Sequence, residues 1–136
     1  MAGQPIVVDG SNVAHEEASS EGKPRISNLV AMHRALEEEG YEPTTIVDAT
    51  LRHVIDDPDQ LEALFEAGRI HQAPAGTAAD GFVLQQADEV GCRVVSNDTF
   101  EPYRDRYGWI EDRRLPYMII DGKVLLHREP PAGESR

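Results

Sequence analysis

The segment Pro5-Ile-Val-Val-Asp9-Gly-Ser-Asn12 near the start of the chain has a counterpart further on, Arg93-Val-Val-Ser-Asn97-Asp98-Thr99. Each segment is a short run of apolar, mostly β-branched residues that stops at acidic or small polar side chains. An uninterrupted apolar run of this kind is typical of a strand buried on both faces, as in a parallel sheet. Ligands of such sheets bind at the carboxyl ends of the strands. The pattern therefore predicts that Asp9 and Asp98 meet at one edge of a parallel sheet.

Helical and strand patterns alternate between these two segments. Apolar residues at helical spacing predict helices over residues 26–39 and 78–90, and a third helix that begins at Asp57 or Asp59 and ends at Gly68. Short β-branched runs predict two more strands over residues 44–47 and 69–72. Residues 10–24 and 73–77 are predicted to be loops. This alternation predicts an α/β fold with a mainly parallel sheet and helices on both faces.

The last third of the chain has a different pattern. Residues 99–112 are predicted to form one or two short helical turns. Residues 115–126 place Asp121-Gly122 between two apolar runs, and Asp-Gly is a favoured two-residue hairpin turn. We expect this C-terminal hairpin to add a strand to the edge of the sheet. Residues 128–136 are polar and contain proline, so residues 1–127 are predicted to form one domain with a disordered tail.

Composition limits the classes of function that the chain can have. It has 136 residues and a single cysteine, Cys92, which excludes an intrachain disulfide and a zinc finger and fits a cytoplasmic location. We see no signal peptide, and no apolar run approaches the ~20 residues that span a bilayer, so no membrane partner is expected. The net charge of -12 argues against binding nucleic acid through a broad basic face. An acid-rich, lysine-poor chain is also typical of a high-salt organism.

Asp80 is a third candidate for an acidic site. It lies at the start of the helix predicted over residues 78–90, which leads directly into the second acid-tipped strand. Three carboxylates that meet repel one another unless a cation lies between them. Oxygen ligands suit Mg²⁺ or Mn²⁺ rather than zinc, and Mg²⁺ retains waters and binds substrate phosphates. Each residue also has a purely structural interpretation, since Asp9 and Asp98 suit turns or caps and Asp80 suits a helix N-terminus.

Five segments resemble, in the same order, the NYN branch of the PIN-like nuclease superfamily, and above all its Regnase-type endoribonuclease domain, which is associated with CCCH zinc fingers. These segments are Val7-Val-Asp-Gly-Ser-Asn-Val-Ala14, Ala79-Asp-Gly-Phe-Val-Leu84, Val94-Val-Ser-Asn-Asp-Thr99, Trp109-Ile-Glu-Asp-Arg113 and Leu115-Pro-Tyr-Met-Ile-Ile120. The resemblance implies a Rossmann-like PIN fold and a metal-dependent ribonuclease. A metal-activated water would hydrolyse the RNA phosphodiester and leave a 5′-phosphate and a 3′-hydroxyl.

The resemblance also implies which residues form the catalytic site. Asp9, Asp80 and Asp98 match acidic residues that would bind Mg²⁺ or Mn²⁺, and Asn12 matches an asparagine that lines the site. The chain departs from the family at Ala79, where a second, adjacent aspartate is expected. It also lacks a clear match for a further aspartate after Asp98, for which the nearest acidic residues are Glu101 and Asp105.

Three residues are predicted to contact the substrate. Arg52 falls where the Regnase-type domain has an arginine near its RNA-facing side. The hydroxyls of Ser11 and Thr99 are expected to position water or phosphate by hydrogen bonds. Single-stranded or loop RNA is the expected partner, and a second copy of the chain is a candidate partner because PIN-like domains often form homodimers.

Two other classes of function stay open at this point. The departures from the family favour a non-catalytic RNA- or protein-binding module on a PIN-like fold, although a pure scaffold has no need for the acidic residues. A phosphate-transferring enzyme fits less well. A phosphatase normally has a second aspartate where this chain has Ser11, and a receiver domain needs a late strand-end lysine, a position that neither Lys23 nor Lys123 occupies.

Overall fold

β1 (Gln4–Asp9), the first acid-tipped segment, lies at the centre of a parallel sheet. The computed structural model describes residues 3–17 and 19–127, and the sheet within them has five strands in the order β3-β2-β1-β4-β5. The other four strands are β2 (Tyr41–Val47), β3 (Ile70–Gln72), β4 (Arg93–Val95) and β5 (Arg114–Leu115), and all four pairings are parallel. The predicted α/β class is therefore confirmed.

Six helices pack on the two faces of this sheet within the described residues. They are α1 (Gly10–His15), α2 (Ile26–Glu38), α3 (Leu51–Val54), α4 (Pro58–Glu66), α5 (Ala79–Val90) and α6 (Ile110–Arg113), and a single 3₁₀ turn covers Glu101–Tyr103. Alternate residues of β1 point to opposite faces, as expected for a strand. Ile6 and Val8 belong to one apolar core with α1 and α2, and Val7 belongs to a second core with α5. Among residues 3–17 and 19–127, no helix has the length and apolar character needed to cross a lipid bilayer.

The prediction that residues 10–24 form a loop is wrong for the first six of them, because helix α1 starts directly after Asp9. The run Gly-Ser-Asn has turn chemistry, which hid the helix in the sequence. Val13 and Ala14 are nevertheless fully buried against α2. The side-chain amide of Asn28 in α2 donates hydrogen bonds to the carbonyl oxygens of both residues, at 3.1 and 3.2 Å. A tertiary contact thus supplies hydrogen bonds to the last carbonyl oxygens of a helix that is too short to be stable alone.

The C-terminal hairpin is confirmed, but it does not extend the main sheet. β6 (Tyr117–Ile120) and β7 (Lys123–Leu126) pair antiparallel as a separate two-stranded sheet. Asp121 and Gly122 both have positive φ, 50° and 77°, as a type I′ turn requires. The edge of the main sheet is instead β5, which is followed by Pro116. Proline has no N–H to donate to a ladder, and the chain turns away there.

Smaller differences concern the bounds and faces of the other elements. Asp57 rather than Asp59 caps α4, because its carboxylate accepts the backbone N–H of Gln60 at 3.1 Å. β2 begins three residues earlier than predicted, and α3 was not predicted. Val90 at the end of α5 is 56 % exposed, whereas Leu84 of the same helix is buried. The predicted disordered tail, residues 128–136, lies outside the described residues.

Gly10 allows α1 to begin against β2 without a gap. A Cβ atom at this position would lie 2.6 Å from Cγ1 of Val47 and 2.7 Å from Cγ2 of Thr45. Both neighbours are β-branched strand residues with little rotamer freedom. We therefore expect Gly10→Ala to lower the free energy of unfolding by about 2 to 3 kcal/mol through overpacking.

Urea denaturation followed by circular dichroism measures this change. Gly108→Ala is the matched control, because a Cβ atom there meets no atom within 4 Å and the backbone is not left-handed. A Gly10→Ala protein as stable as the Gly108→Ala protein would contradict the proposed close approach.

Candidate active site

The carboxyl ends of β1, β2 and β4 border an open cleft of about 420 Å³, which we call the aspartate cleft. The N-terminus of α5 forms its other side. The lining residues are Asp9, Ser11, Asn12, His15, Asp48, Ala78, Ala79, Asp80 and Asp98. The structure therefore brings together the three predicted acidic residues with Asn12 and Ser11. Ala79, at the position where a second aspartate was expected, also lines the cleft and adds no charge.

Asp9 is the most buried acidic residue of the cleft, with 6 % of its surface exposed. It ends β1, and its Oδ2 accepts a hydrogen bond of 2.8 Å from the hydroxyl of Ser96. Burial raises the pKa of Asp9 to about 6, and the neighbouring carboxylates of Asp98 and Asp80 add to this effect. Hydrogen bonds from Ser96 and from the backbone N–H of Asn12 act in the opposite direction. The cleft thus holds its central carboxylate at an energetic cost.

Asp80 and Asp98 each accept hydrogen bonds through one carboxylate oxygen. Oδ1 of Asp80 accepts the backbone N–H of Gly81 at 2.8 Å and the hydroxyl of Tyr103 at 3.2 Å. Oδ1 of Asp98 accepts the backbone N–H of Phe100 at 2.8 Å. Within residues 3–17 and 19–127, no hydrogen-bond donor is bound to Oδ2 of either aspartate. Both side chains are therefore fixed in place with one oxygen available to a ligand.

Asn12 joins the first acid-tipped segment to the second. Its Oδ1 accepts the backbone N–H of Asn97 at 3.1 Å and the hydroxyl of Tyr117 at 2.7 Å. The backbone N–H of Tyr117 in turn donates to Oδ1 of Asn97 at 3.0 Å. Neither Asn97 nor Tyr117 was predicted to belong to the site, and nothing in the sequence pattern around Tyr117 indicates it.

Two further lining residues, Asp48 and His15, were also missed as site residues. Asp48 directly follows β2. An aspartate at the carboxyl end of a parallel strand was the same sequence signal that identified Asp9. Its backbone N–H donates to Oγ of Ser11 at 2.8 Å, and hydrogen bonds from Thr50 lower its pKa. Nδ1 of His15 lies 2.7 Å from the carbonyl oxygen of Ser11. A carbonyl only accepts, so Nδ1 carries the proton and Nε2 is left for another partner.

Four predicted residues do not line the cleft. Arg52 lies in α3, where its guanidinium pairs with Glu62 at 3.5 Å and lies over the ring of Phe65 at 5.0 Å. Thr99 is exposed, and its carbonyl accepts a hydrogen bond from the side chain of Arg104. Glu101 and Asp105, the two candidates for a further metal ligand, are exposed and lie outside the cleft. Oε1 of Glu101 lies 3.6 Å from Nε of Arg104. Roles for these four residues stay predictions.

Comparison with known proteins identifies the family. Residues 2–135 match the family model described as the Zc3h12a-like ribonuclease NYN domain. The chain belongs to this family. The resemblance to a Regnase-type NYN domain is therefore confirmed, and family membership supports a function of the ribonuclease type.

The fold of this NYN domain also occurs in larger proteins of known structure. Two solved structures of PRORP2, the nuclear protein-only RNase P 2 of Arabidopsis thaliana, are similar, each with a TM-score of 0.73 and with 21 % and 20 % sequence identity. The similarity covers 93 % of this chain but 30 % of the PRORP2 chain. At this identity, the likeness shows the fold alone.

The oxygen ligands that the aspartate cleft offers fit a hard divalent cation that keeps part of its water shell. No three His, Cys, Asp or Glu side chains of residues 3–17 and 19–127 are arranged so that they could hold a metal ion. Mg²⁺ normally binds through one or two carboxylates and retains several waters. The cleft offers carboxylate and amide oxygens without thiols, and two of its aspartates have an available oxygen. The residues present thus fit hydrated Mg²⁺ or Mn²⁺ better than a closed, all-protein site.

The raised pKa of Asp9 predicts how stability depends on pH. The folded pKa of about 6 exceeds the unfolded value, so ionisation of Asp9 destabilises the fold above pH 6. As the pH falls from 6 towards 4, protonation removes this cost. In metal-free buffer at pH 8 we expect Asp9→Asn to raise the free energy of unfolding by about 2 kcal/mol, and the gain should disappear near pH 4.

Urea denaturation of both proteins in buffer with a chelator, at pH 8 and at pH 4, measures this difference. A variant that is no more stable than the wild type at pH 8 would show that burial of the Asp9 carboxylate costs nothing.

Proposed function

We propose that this NYN domain is an Mg²⁺- or Mn²⁺-dependent endoribonuclease that hydrolyses single-stranded or loop RNA. The observation that carries the proposal is the convergence of Asp9, Asp48, Asp80 and Asp98 in one open cleft. Family membership supports the ribonuclease class. The dependence on metal, the form of the RNA and the products are inferences from the chemistry of the cleft.

The charge of the cleft supports the need for a cation. Four aspartates line it, and no lysine or arginine is among its described lining residues. A phosphodiester is itself an anion, so it would be repelled from this surface unless positive charge were supplied. The net charge of -12 gives the domain no broad basic face that could attract RNA from elsewhere. Divalent ions bound to the aspartates would offset much of this negative charge.

The predicted site residues that line the cleft then have roles that follow from their positions. Asp9, Asp80 and Asp98 would hold a hydrated cation in part through its bound waters, and the cation when bound would supply Lewis-acid charge to the phosphate and a more nucleophilic water. The amide N–H groups of Asn12 would donate hydrogen bonds to a phosphate oxygen, and the hydroxyl of Ser11 would do the same. The oxygen of water forms the new bond to phosphorus while the bond to the 3′ oxygen breaks. The products are a 5′-phosphate and a 3′-hydroxyl, which takes up a proton.

We also propose a reducing compartment, the cytoplasm, as the place of action. The single cysteine, Cys92, is buried as a free thiol, which fits the absence of disulfide chemistry there.

Two observations favour a second candidate, a non-catalytic RNA- or protein-binding module. The described residues contain no arrangement of three side chains that could hold a metal ion, and Ala79 replaces a carboxylate that the family pattern leads us to expect. Such a module would bind its partner without cleaving it.

Cleavage of labelled single-stranded RNA in Mn²⁺, with and without a chelator, tests the main proposal. We expect the chelator to stop cleavage. We expect Asp98→Asn to lower the rate at least about 100-fold, the scale on which loss of one charge-stabilising group acts, because it removes a carboxylate from the cleft while its amide oxygen can still accept from Phe100.

Asp59→Asn is the matched control, since Asp59 is an exposed aspartate in the first turn of α4 and does not line the cleft. Cleavage that survives both the chelator and Asp98→Asn would contradict the metal-dependent mechanism. RNA binding without cleavage by the wild-type protein would favour the non-catalytic module.

A further inference from the structure

We propose that Tyr117 is a positioning residue that holds the side-chain amide of Asn12 with its N–H groups directed at the substrate phosphate. The inference rests on the proposed function, in which Asn12 contacts the phosphate. It assigns a role at the active site to the C-terminal hairpin, 105 residues away from Asn12 along the chain.

The orientation of the Asn12 amide follows from its partners. The backbone N–H of Asn97 can only donate, so the atom that it contacts at 3.1 Å must be the carbonyl oxygen of the amide. The hydroxyl of Tyr117 donates to the same oxygen at 2.7 Å. Within the described residues, no acceptor is bound to Nδ2 of Asn12, and Asn12 lines the aspartate cleft. The two N–H groups are therefore left for a ligand.

Tyr117 is held firmly enough to act in this way. It is 4 % exposed and belongs to the apolar core that contains α1 and α2. Its backbone N–H donates to Oδ1 of Asn97 at 3.0 Å, so ring, hydroxyl and backbone are all anchored. Burial, together with the carboxylates of Glu16 and Asp9, raises the pKa of the Tyr117 hydroxyl. The hydroxyl thus stays protonated and remains a donor.

The two donors make the reversed amide unfavourable. If the Asn12 amide turned over, its NH₂ group would face the N–H of Asn97 and would leave a partly buried donor unpaired, which costs more than one lost hydrogen bond. The carbonyl oxygen would then face the phosphate in a cleft that already holds four carboxylates. Tyr117 alone among these partners is a side chain, so its hydroxyl can be removed without a change in the backbone.

The experiment compares Tyr117→Phe, Asn12→Ala and the double variant on single-stranded RNA in Mn²⁺. Phenylalanine keeps the packed ring and the backbone N–H and removes only the hydroxyl. We expect Tyr117→Phe to lower kcat about tenfold, the scale of one lost hydrogen bond, and to change KM by less than about threefold. We expect the double variant to match Asn12→Ala, because Tyr117 has nothing to position once the amide is absent.

A second readout does not depend on activity. In ¹⁵N–¹H spectra, we expect the side-chain NH₂ signals of Asn12 to shift or broaden in Tyr117→Phe. They should stay unchanged in Tyr41→Phe, the matched control, since Tyr41 is a partly buried tyrosine at the opposite end of the sheet. In the wild-type protein, the hydroxyl proton of Tyr117 should exchange with solvent slowly enough to be observed.

The outcomes separate this inference from the proposed function. Independent, multiplicative losses in the double variant, or Asn12 signals that Tyr117→Phe leaves unchanged, would overturn the positioning role. A wild-type protein that cleaves no RNA would overturn the proposed function instead, and the spectra would then decide the orientation of Asn12 by themselves. If Tyr117→Phe does not fold, a rapidly exchanging hydroxyl proton in the wild type counts against the inference and a protected one supports it.

Discussion

The parallel pairing of β1 with β4 is the contact on which the rest of the structure depends. It sets Val8 beside Val95, so the next residues of the two strands, Asp9 and Ser96, lie side by side and share a hydrogen bond of 2.8 Å. Both strands are buried on their two faces, and the pairing therefore carries a carboxylate into the interior. The segment after β4 then delivers Asp98 to the same edge. Without this register the two acid-tipped strand ends would not form one cleft.

The cleft is costly for the fold, as functional sites often are. Burial of Asp9 raises its pKa to about 6, and the carboxylates of Asp80 and Asp98 increase the repulsion. The rest of the domain offsets this cost with two well-packed apolar cores on the faces of the sheet. Gly10 allows the chain to enter α1 directly after Asp9, because a Cβ atom at this position would clash with Thr45 and Val47. A cation bound between the aspartates would relieve this repulsion.

Most elements of the fold could be predicted because their signals are local. The cap at Asp57, the left-handed Gly91 after α5 and the Asp121-Gly122 turn each depend on a few adjacent residues. Elements that depend on distant partners were missed. Helix α1 has turn-forming residues and is stabilised by the side chain of Asn28 from α2. The edge strand β5 is two residues long and has no pattern of its own.

The candidate site divides in the same way. The sequence by itself determined that Asp9, Asp80 and Asp98 would approach one sheet edge, because strand and helix periodicity fixes the direction of each element and parallel strands end on the same side. Only the tertiary structure decided that Asp48 lines the same cleft and that the hydroxyl of Tyr117 donates to Asn12. It also decided that Arg52 pairs with Glu62 and does not line the cleft. The physical reason is that a side chain's partner across the fold depends on register and packing between segments far apart in the chain, and periodicity within one segment carries no information about either.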